Sequence, residues 1–390
     1  MKTFEAIMNI PSPYRVYLFE DLARQLKSKG IAFEAHFMTH GHGERPKSWL
    51  NPEMHFSYRY WRDYGIMHRH FNPGFIIRSW FKKADVLLVG SPFDTFTGIL
   101  AAFTARAKVK CTWVEGQTKT PGKMNGIIGW FKRLVLSRFK YVAVPGKDAS
   151  KYIALHQSLT KLDMPQPVFL PNLIDEARFC PRSKWPKADV DTCRGKIGAK
   201  DDERICLIPA RLDISKGLLP FFEALDSELI KDGWKIVVMG QGELKERILE
   251  IVRSKGIADR VSIFDYVPYE QMPVYYASAD LFLLPSLHDP NPLSVPEALH
   301  SGLPIALSEQ AGNVEEGVTD GRNGWRLPVN NTEAFKNKLN EVFSTPLEQL
   351  RTMGQFSLNE NAQFWDTEKA IANFIDRVIT YVPNNERQVC

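Results

Sequence analysis

Two acidic residues, Asp289 and Glu297, stand eight positions apart in the stretch HDPNPLSVPEALHSGLP, residues 288–304. This stretch predicts a loop that opens a helix, and Pro296 fits such a helix only in its first turn. A first turn presents unpaired backbone N–H groups and a partial positive charge, which together suit a diphosphate. The residues here with an N–H to offer are Asn291, Leu293, Ser294 and Val295.

The same residues also fit a purely structural role. Ser294-x-x-Glu297 is the pattern of a capping box, in which the glutamate would satisfy a backbone N–H at the helix start. This stretch alone leaves open whether Glu297 binds a ligand or caps the helix.

Two cations follow a predicted strand upstream. The apolar run Ile205–Pro209 leads into ARLDISKG, which contains Arg211 and Lys216. Ligands of open α/β sheets bind at the carboxyl ends of strands. Arg211 as a planar fork and Lys216 as a point charge could neutralise the charge that develops on a departing nucleoside diphosphate. Two solvated surface cations are the alternative.

A glycine pair, Gly240 and Gly242, follows the predicted strand Lys235–Met239. Glycine at this place would allow a ligand to approach the backbone. The third glycine of a dinucleotide fingerprint is replaced by Lys245, which argues against an NAD-dependent enzyme.

The elements that must position these residues alternate between strands and helices. Short apolar runs close on Gly, Pro or Ser and precede helical patterns, which indicates parallel sheets wrapped by helices. The remaining predicted strands are Val86–Gly90, Tyr141–Gly146, Val261–Val267 and Leu281–Ser286. The proline-rich stretch 165–200 is interpreted as the linker and entry to a second domain. Residues 366–382 predict a C-terminal helix that packs back on the first domain.

At this point the motifs resemble a known family. PNLIDEARF, IPARLDISKG, VVMGQGELKERI, ADLFLLPS and the stretch from residue 288 resemble the motifs of glycosyltransferase family 4, across roughly residues 170–330. The resemblance implies an α/β protein of GT-B fold, with two Rossmann-like domains whose parallel sheets face across a cleft. We assign residues 1–170, with helix 366–382, to an acceptor-binding domain, and residues 171–365 to a nucleotide-sugar-binding domain.

The resemblance also implies roles for individual residues. Arg211 and Lys216 would bind the donor phosphates, and Glu297 would hold the ribose hydroxyls. Asp289 stands where the family usually has a glutamate near the transferred sugar. The residues implied in further donor contacts are Gly240, Gly242, Tyr266 and Val267 at the base, and Leu293 and Ser294 at the diphosphate.

The implied reaction is a hexosyl transfer with retention of configuration, in which the departing diphosphate takes the acceptor proton. Family members generally need no metal and no cofactor, so the pairs His40/His42 and His68/His70 are expected to lie in loops. On family frequency a UDP-sugar is the preferred donor and a GDP-sugar the next.

Three residues of the first domain are candidates near the donor. The loop Asn9–Arg15 joins a strand to a helix, and Ser12 and Arg15 stand where many relatives carry a glycine pair. Glu115 ends the run CTWVE, near where relatives often carry a catalytic histidine. A surface salt bridge for Arg15 and a structural role for Glu115 are the alternatives.

The first domain is strongly basic. Residues 1–170 hold 25 lysines and arginines against 12 acidic residues, whereas the rest of the chain holds 25 against 33. Residues 125–140 (NGIIGWFKRLVLSRFK) predict a basic amphipathic helix, and RSWFKK (residues 78–83) adds a second such cluster. We expect this half to contact an anionic membrane surface, although a core helix with solvated charges would show the same pattern.

These observations favour a cytoplasmic protein, peripheral at the inner face of the plasma membrane. An odd number of cysteines without C-x-x-C spacing argues against disulfides and zinc, and no apolar run is long enough to span a bilayer. The expected acceptor is a saccharide on a polyprenyl diphosphate, in bacterial-type surface polysaccharide synthesis.

Other classes of protein stay open as alternatives. These are a catalytically inactive GT-B scaffold, a GT-B sugar epimerase and a basic nucleic-acid-binding protein. No nucleic-acid-binding module is recognised in the sequence, so we expect no nucleic acid partner. Two carboxylates also suit a glycosidase, but the cations beside them favour transfer.

Overall fold

The structure of the protein is a computed structural model, which describes residues 2–40, 53–65, 69–90, 92–119, 122 and 124–380. The chain divides into two compact units. Unit 1 comprises Met1–Ile174 and Asp366–Cys390, and unit 2 comprises Asp175–Trp365. His42 and His68 lie outside the described residues.

Unit 1 contains a seven-stranded parallel sheet in the order β3-β2-β1-β4-β5-β6-β7. Its strands are β1 Lys2–Met8, β2 Ile31–Phe37, β3 Tyr58–Tyr60, β4 Ala84–Gly90, β5 Ala107–Trp113, β6 Tyr141–Val144 and β7 Gln166–Phe169. Its helices are α1 Pro13–Ser28, α2 Pro73–Phe81, α3 Phe96–Thr104, α4 Gly126–Leu136, α5 Lys147–Ser158 and, from the end of the chain, α15 Thr367–Ile379.

Unit 2 contains a six-stranded parallel sheet in the order β10-β9-β8-β11-β12-β13. Its strands are β8 Arg204–Pro209, β9 Trp234–Met239, β10 Val261–Phe264, β11 Leu281–Leu284, β12 Ile305–Ser308 and β13 Gly324–Leu327. Its helices are α6 Lys187–Ile197, α7 Leu218–Ala224, α8 Ser227–Lys231, α9 Lys245–Ser254, α10 Met272–Ser278, α11 Ser294–His300, α12 Val314–Gly317, α13 Thr332–Ser344 and α14 Leu347–Asn359. The expected pair of parallel α/β units is confirmed.

Alternate residues of strand β4 belong to different hydrophobic clusters of unit 1. Val86 and Leu88 of β4 pack in a cluster with α1 and α15, whereas Leu87 and Val89 pack in a cluster with α2, α3 and α4. Right-handed crossovers explain this division, because the chain moves one way from β1 to β2 and the other way from β4 to β6. The helices α2, α3 and α4 therefore share one face of the sheet.

The C-terminal helix α15 is built into unit 1. Asp366 caps its first turn by accepting a hydrogen bond from the Lys369 N–H at 2.9 Å. Its Ile371, Phe374 and Ile375 are fully buried in the core that contains β1 and α1. The chain thus leaves unit 1 after β7 and returns to it for its last described helix.

The stretch 165–200 is more ordered than a linker. It contains strand β7 and helix α6, which proline content and weak periodicity concealed. Pro167 is tolerated because β7 is the edge strand of its sheet. Helix α6 buries three side chains and ends at Gly198 in the left-handed conformation.

The strand predicted over Val261–Val267 is shorter in the structure than expected. Strand β10 ends at Phe264.

Candidate functional site

Most of the predicted site residues follow strands at the carboxyl edge of the unit 2 sheet. The strand order reverses between β8 and β11, which are hydrogen-bonded neighbours. At such a reversal the loops that follow the two strands diverge, and the crevice between them is where α/β proteins bind ligands. Arg211 and Lys216 follow β8, whereas Asp289 follows β11.

Lys216 and Asp289 meet at this crevice. The Lys216 Nζ lies 2.5 Å from the Asp289 Oδ2, and their side chains are only 17% and 11% exposed. Backbone hydrogen bonds hold the two loops together, since Ser215 O accepts from the N–H groups of Leu287 (2.8 Å) and His288 (3.0 Å). The structure therefore joins a cation and an acid that stand 73 residues apart in the sequence.

Gly217 lets these loops approach. Its φ is +66°, a left-handed conformation that favours glycine. A Cβ at this position would lie 2.2 Å from the Pro285 carbonyl oxygen. Any other residue would push the Lys216 loop away from the Asp289 loop.

Arg211 differs from Lys216 in its surroundings. Its side chain is 74% exposed, and its Nη2 contacts the Asp213 Oδ2 at 3.0 Å. Asp213 also accepts a hydrogen bond from the Ser215 N–H at 2.9 Å. Arg211 is a surface cation that pairs with an acid of its own loop. Because its side chain is already exposed, it can turn toward an anion without first leaving a buried position.

Gly240 and Gly242 have a packing role that the sequence did not indicate. A Cβ on Gly240 would lie 2.1 Å from the Ala210 carbonyl oxygen, and one on Gly242 would lie 2.3 Å from that of Leu212. The two loops also exchange a hydrogen bond, from the Leu212 N–H to Gln241 O at 3.0 Å. The glycines thus seat the loop after β9 against the loop that carries Arg211.

Helix α11 begins at Ser294, with Leu293 at the N-cap position and no side-chain cap. The capping box is therefore not formed, because Ser294 already lies inside the helix. The Val295 N–H donates to Pro292 O at 3.3 Å and is not available to a ligand. Among the residues that the structure describes, the N–H groups of Leu293 and Ser294 have no acceptor. Pro296 lies in the first turn, as expected.

Glu297 points into the interior of unit 2. Its Oε2 accepts a hydrogen bond from the Tyr276 hydroxyl at 2.5 Å. Burial raises the pKa of Glu297 to about 7, although the hydrogen bond from Tyr276 favours the charged form and opposes this rise. Within the described part of the chain no residue donates to its Oε1. Glu297 is not a capping residue, and one of its oxygens stays available to a hydroxyl group.

The remaining candidates of unit 2 lie around these residues. Tyr266 is half exposed and Val267 half-buried in the loop after β10. Asn291 is half-buried between Asp289 and α11. Sequence reasoning missed Tyr276, on α10, and Asn313, whose amide donates to Pro292 O at 3.0 Å and holds the loop before α11. Their partners lie 21 residues away, so no local pattern signals them.

The unit 1 candidates also come together. Arg15 Nη2 lies 3.1 Å from Glu115 Oε1, and its guanidinium lies 3.8 Å from the centre of the Trp113 ring. Asn172 Nδ2 donates to the same Glu115 oxygen at 3.0 Å. Ser12 is buried at the N-cap position of α1 and makes no side-chain cap. Arg15 is thus in a salt bridge with another candidate, and Asn172 is a member that the sequence did not reveal.

One cluster of possible metal ligands occurs in the described part of the chain: Glu5, Glu34 and His36. Arg78 of α2 donates to Glu5 at 2.6 and 2.9 Å and to Glu34 at 2.9 Å. Because the Arg78 guanidinium already pairs with both carboxylates, the chemistry of this cluster is that of an ion-pair network. The network ties α2 to β1 and β2.

The glycine packing predicts a stability difference between two substitutions. Gly242→Ala should lower the free energy of unfolding by about 1–3 kcal/mol, because the new Cβ displaces a backbone loop. Gly195→Ala is the matched control: nothing lies within 4 Å of its Cβ position in helix α6. It should raise stability by about 0.5–1 kcal/mol. Urea titration measures both, and equal effects of the two substitutions would contradict the packing role.

The buried carboxyl group predicts a pH-dependent stability. Between about pH 4.5 and 7 the folded chain holds the Glu297 proton and the unfolded chain does not. The contribution of Glu297 to the free energy of unfolding therefore falls as pH rises through this window. Glu297→Gln should match wild type near pH 5 and exceed it at pH 8 by up to about 3 kcal/mol in urea titrations. Glu250→Gln, on an exposed face of α9, should show no such divergence. Parallel pH curves for Glu297→Gln and wild type would contradict the assignment.

Much of unit 2 is similar in sequence to known glycosyltransferases. Residues 189–359 match the model of the family Glycosyl transferases group 1. The alpha-monoglucosyldiacylglycerol synthase of Acholeplasma laidlawii is 26% identical over 145 residues, 37% of this chain and 36% of the relative. A putative teichuronic acid biosynthesis glycosyltransferase of Bacillus subtilis is 29% identical over 192 residues, 49% of this chain and 44% of the relative. These matches span about a third to a half of the length of the curated relatives.

A crystal structure of the Anabaena protein HepE in complex with UDP-glucose covers 97% of this chain and 100% of its own. Its TM-score is 0.70 and its sequence identity 13%, so the likeness concerns the fold. The fold of this chain is GT-B, with two parallel-sheet α/β units. Membership of family 4 in particular stays a prediction. The match over residues 189–359 and the GT-B fold together support a group 1 glycosyltransferase.

Proposed function

We propose that this chain transfers a hexosyl group, with retention of configuration and without a metal ion, from a nucleotide-sugar to a lipid-linked saccharide. A UDP-sugar is the preferred donor and a GDP-sugar the next. The observation that carries the proposal is the Lys216–Asp289 pair at the strand-order reversal of unit 2, and the two open N–H groups of Leu293 and Ser294 follow Asp289 in the same loop. A cation, open N–H groups and an acid are the groups that a sugar diphosphate needs.

The charges in this site suit the arrival of a diphosphate. Lys216 is paired with Asp289, and Arg211 with Asp213, so each cation already has a partner acid. A diphosphate carries more charge than either carboxylate and can draw both cations toward itself. The Asp289 carboxylate would then accept hydrogen bonds from hydroxyl groups of the transferred sugar. One pair of residues would thus serve both parts of the donor.

The proposed reaction proceeds on one face of the sugar. The bond between the anomeric carbon and the diphosphate oxygen breaks, and the acceptor oxygen bonds to the same carbon from the same side. The acceptor proton passes to the departing diphosphate. Lys216, Arg211 and the N–H groups of Leu293 and Ser294 would stabilise the negative charge that develops there. Glu297 would accept hydrogen bonds from the ribose hydroxyls through its Oε1.

Two further features support this assignment. The HepE structure that shares the fold is a complex with UDP-glucose, the kind of donor proposed here. The synthase from Acholeplasma laidlawii is named for a glycolipid product, and the Bacillus subtilis relative for a polysaccharide. We infer that this chain serves a surface polysaccharide of the bacterial type, built on a polyprenyl diphosphate.

The donor test measures release of nucleoside diphosphate from a panel of UDP- and GDP-sugars, with and without a membrane lipid extract. We expect release from one donor, dependent on the extract, and a loss of about 100-fold or more in Lys216→Ala and Glu297→Ala. Lys231→Ala, which removes an exposed lysine of α8, is the matched control and should keep full activity.

Each alternative function has its own result in the same test. Nucleotide binding without release or transfer would indicate an inactive scaffold. Conversion of the donor sugar without acceptor would indicate an epimerase. A wild-type protein that binds no nucleotide would overturn the transferase proposal.

We also propose that α2, α3 and α4 contact an anionic membrane surface. Sixteen large hydrophobic side chains are exposed among the described residues, and nine of them lie on these three neighbouring helices. They are Ile77, Trp80 and Phe81 on α2, Leu100 and Phe103 on α3, and Ile127, Ile128, Trp130 and Phe131 on α4. We call this set the apolar face. Such concentration of exposed apolar side chains is typical of an interaction surface.

The charges around the apolar face suit an anionic surface. None of the three helices contains an acidic residue. Lys82, Lys83, Arg106 and Arg138 are exposed beside it, and the Arg138 guanidinium lies 5.1 Å from the centre of the Phe103 ring. Aromatic side chains ringed by cations favour the boundary between lipid headgroups and acyl chains. No described helix is long and apolar enough to cross a membrane.

The predicted helix 125–140 has a more limited role than expected. It extends over Gly126–Leu136 only, and Val135, Leu136 and Phe139 belong to the core. Arg133 is buried and donates to the Met124 carbonyl at 2.8 Å, so it cannot reach a lipid headgroup. One side of the helix therefore packs in the core. The exposed side chains between Ile127 and Phe131 lie on the surface.

Vesicle flotation tests the membrane proposal. Wild type should bind vesicles of phosphatidylcholine and phosphatidylglycerol, and Phe81→Asp with Ile127→Asp should lower binding about 10-fold or more, because two large side chains leave the lipid. Lys82→Glu with Lys83→Glu should reduce binding only where phosphatidylglycerol is present. Leu159→Asp, at an exposed position after α5, is the matched control. Binding that both double variants leave unchanged would contradict the proposal.

A further inference from the structure

Three polar side chains from separate strand ends converge at the carboxyl edge of the unit 1 sheet. Arg15 follows β1, Glu115 follows β5 and Asn172 follows β7. Strand β4 lies between the first two, and strand β6 lies between the last two. Arg15 and Asn172 both donate to Glu115 Oε1, at 3.1 and 3.0 Å. Among the described residues none donates to Glu115 Oε2, and the side chain is 35% exposed.

The backbone that carries Glu115 is fixed immediately after it. A Cβ on Gly116 would lie 2.3 Å from the Tyr152 ring, so only glycine allows this ring to lie against the loop. The Thr118 N–H donates to Asp148 at the start of α5, at 3.2 Å. The guanidinium of Arg15 is in turn held against Trp113. Each contact restricts the positions that the Glu115 carboxylate can take.

The orientation of the Asn172 amide has a cost. A carboxylate only accepts hydrogen bonds, so the amide must turn its NH₂ group toward Glu115. This leaves Asn172 Oδ1 buried without a partner among the described residues. A buried acceptor without a donor is destabilising, whereas an apolar residue of similar size would avoid this loss. Asn172 therefore helps to place Glu115 but lowers the stability of the folded protein.

We propose that Arg15 and Asn172 position Glu115 so that its free Oε2 accepts a hydrogen bond from a hydroxyl of the saccharide acceptor. This inference rests on the proposed transferase function. A carboxylate repels phosphate and binds hydroxyl groups, and the Glu115 side chain is partly exposed. Arg15 is a positioning residue in this scheme, because its guanidinium is already paired with the Glu115 carboxylate.

The test uses the whole chain, UDP and octyl glycosides of glucose, galactose and mannose as acceptor probes. Saturation-transfer NMR in the presence of UDP reports glycoside binding, and steady-state rates give separate KM values for glycoside and donor. Glu115→Gln and Asn172→Ala should weaken glycoside binding and raise its KM about 10-fold or more, because a hydrogen bond to a charged group is lost. The donor KM and the affinity for UDP should not change.

Two controls separate positioning from folding. Asn172→Ala should unfold at a urea concentration no lower than wild type, since it also removes the unpaired Oδ1. Arg15→Ala should weaken glycoside binding as Asn172→Ala does. Arg24→Ala, on an exposed part of α1, should bind the glycoside as wild type does.

Several results would overturn this inference. These are a wild-type protein that binds UDP but no glycoside, variants with unchanged glycoside binding, or variants that lose UDP affinity and stability together. A wild-type protein that binds neither UDP nor GDP would overturn the proposed function and, with it, this inference.

Discussion

The handedness of the connections between parallel strands is the constraint on which the other features of this chain depend. Each crossover must be right-handed, so a reversal of strand order moves the following helices to the other face of the sheet. It also separates two neighbouring loops at the carboxyl edge. Unit 1 reverses between β1 and β4, and unit 2 between β8 and β11. The Lys216–Asp289 pair lies at the second reversal, and α2, α3 and α4 share a face because of the first.

The sequence allowed six of the strands to be predicted, and with them the placement of Arg211, Lys216 and Asp289 just after strands of unit 2. Buried parallel strands are short apolar runs, and residues just after them must lie at one edge. Contacts between distant segments could not be predicted in this way. Arg15 and Glu115 are 100 residues apart, and their salt bridge needs β4 to lie between their strands. Strand β7 was hidden by Pro167, which only an edge position permits.

At some positions the structure gives the residue type a different physical role from the one that the sequence suggested. Gly240 and Gly242 were expected to admit a ligand, yet each would clash with a neighbouring loop if it had a side chain. Glu297 fits the spacing of a capping box, but the helix begins one residue too early for Ser294 to be its cap. A motif indicates which residue types a site needs. It does not indicate whether a residue contacts the ligand itself or packs against a loop that carries the ligand-binding residues.

The two acids after β11 have different electrostatic surroundings, and this difference bears on how a donor would bind. Asp289 is held beside the Lys216 ammonium, whereas Glu297 has a hydroxyl partner and a pKa raised by burial to about 7. A diphosphate that attracts Lys216 would free Asp289 to accept sugar hydroxyls. A ribose hydroxyl that donates to Glu297 would favour its ionised form. Donor binding would thus add one negative charge where Glu297 lies and withdraw a cation from Asp289. Both changes depend on the open N–H groups of Leu293 and Ser294, and on Arg211, to compensate the negative charge that accumulates beside them.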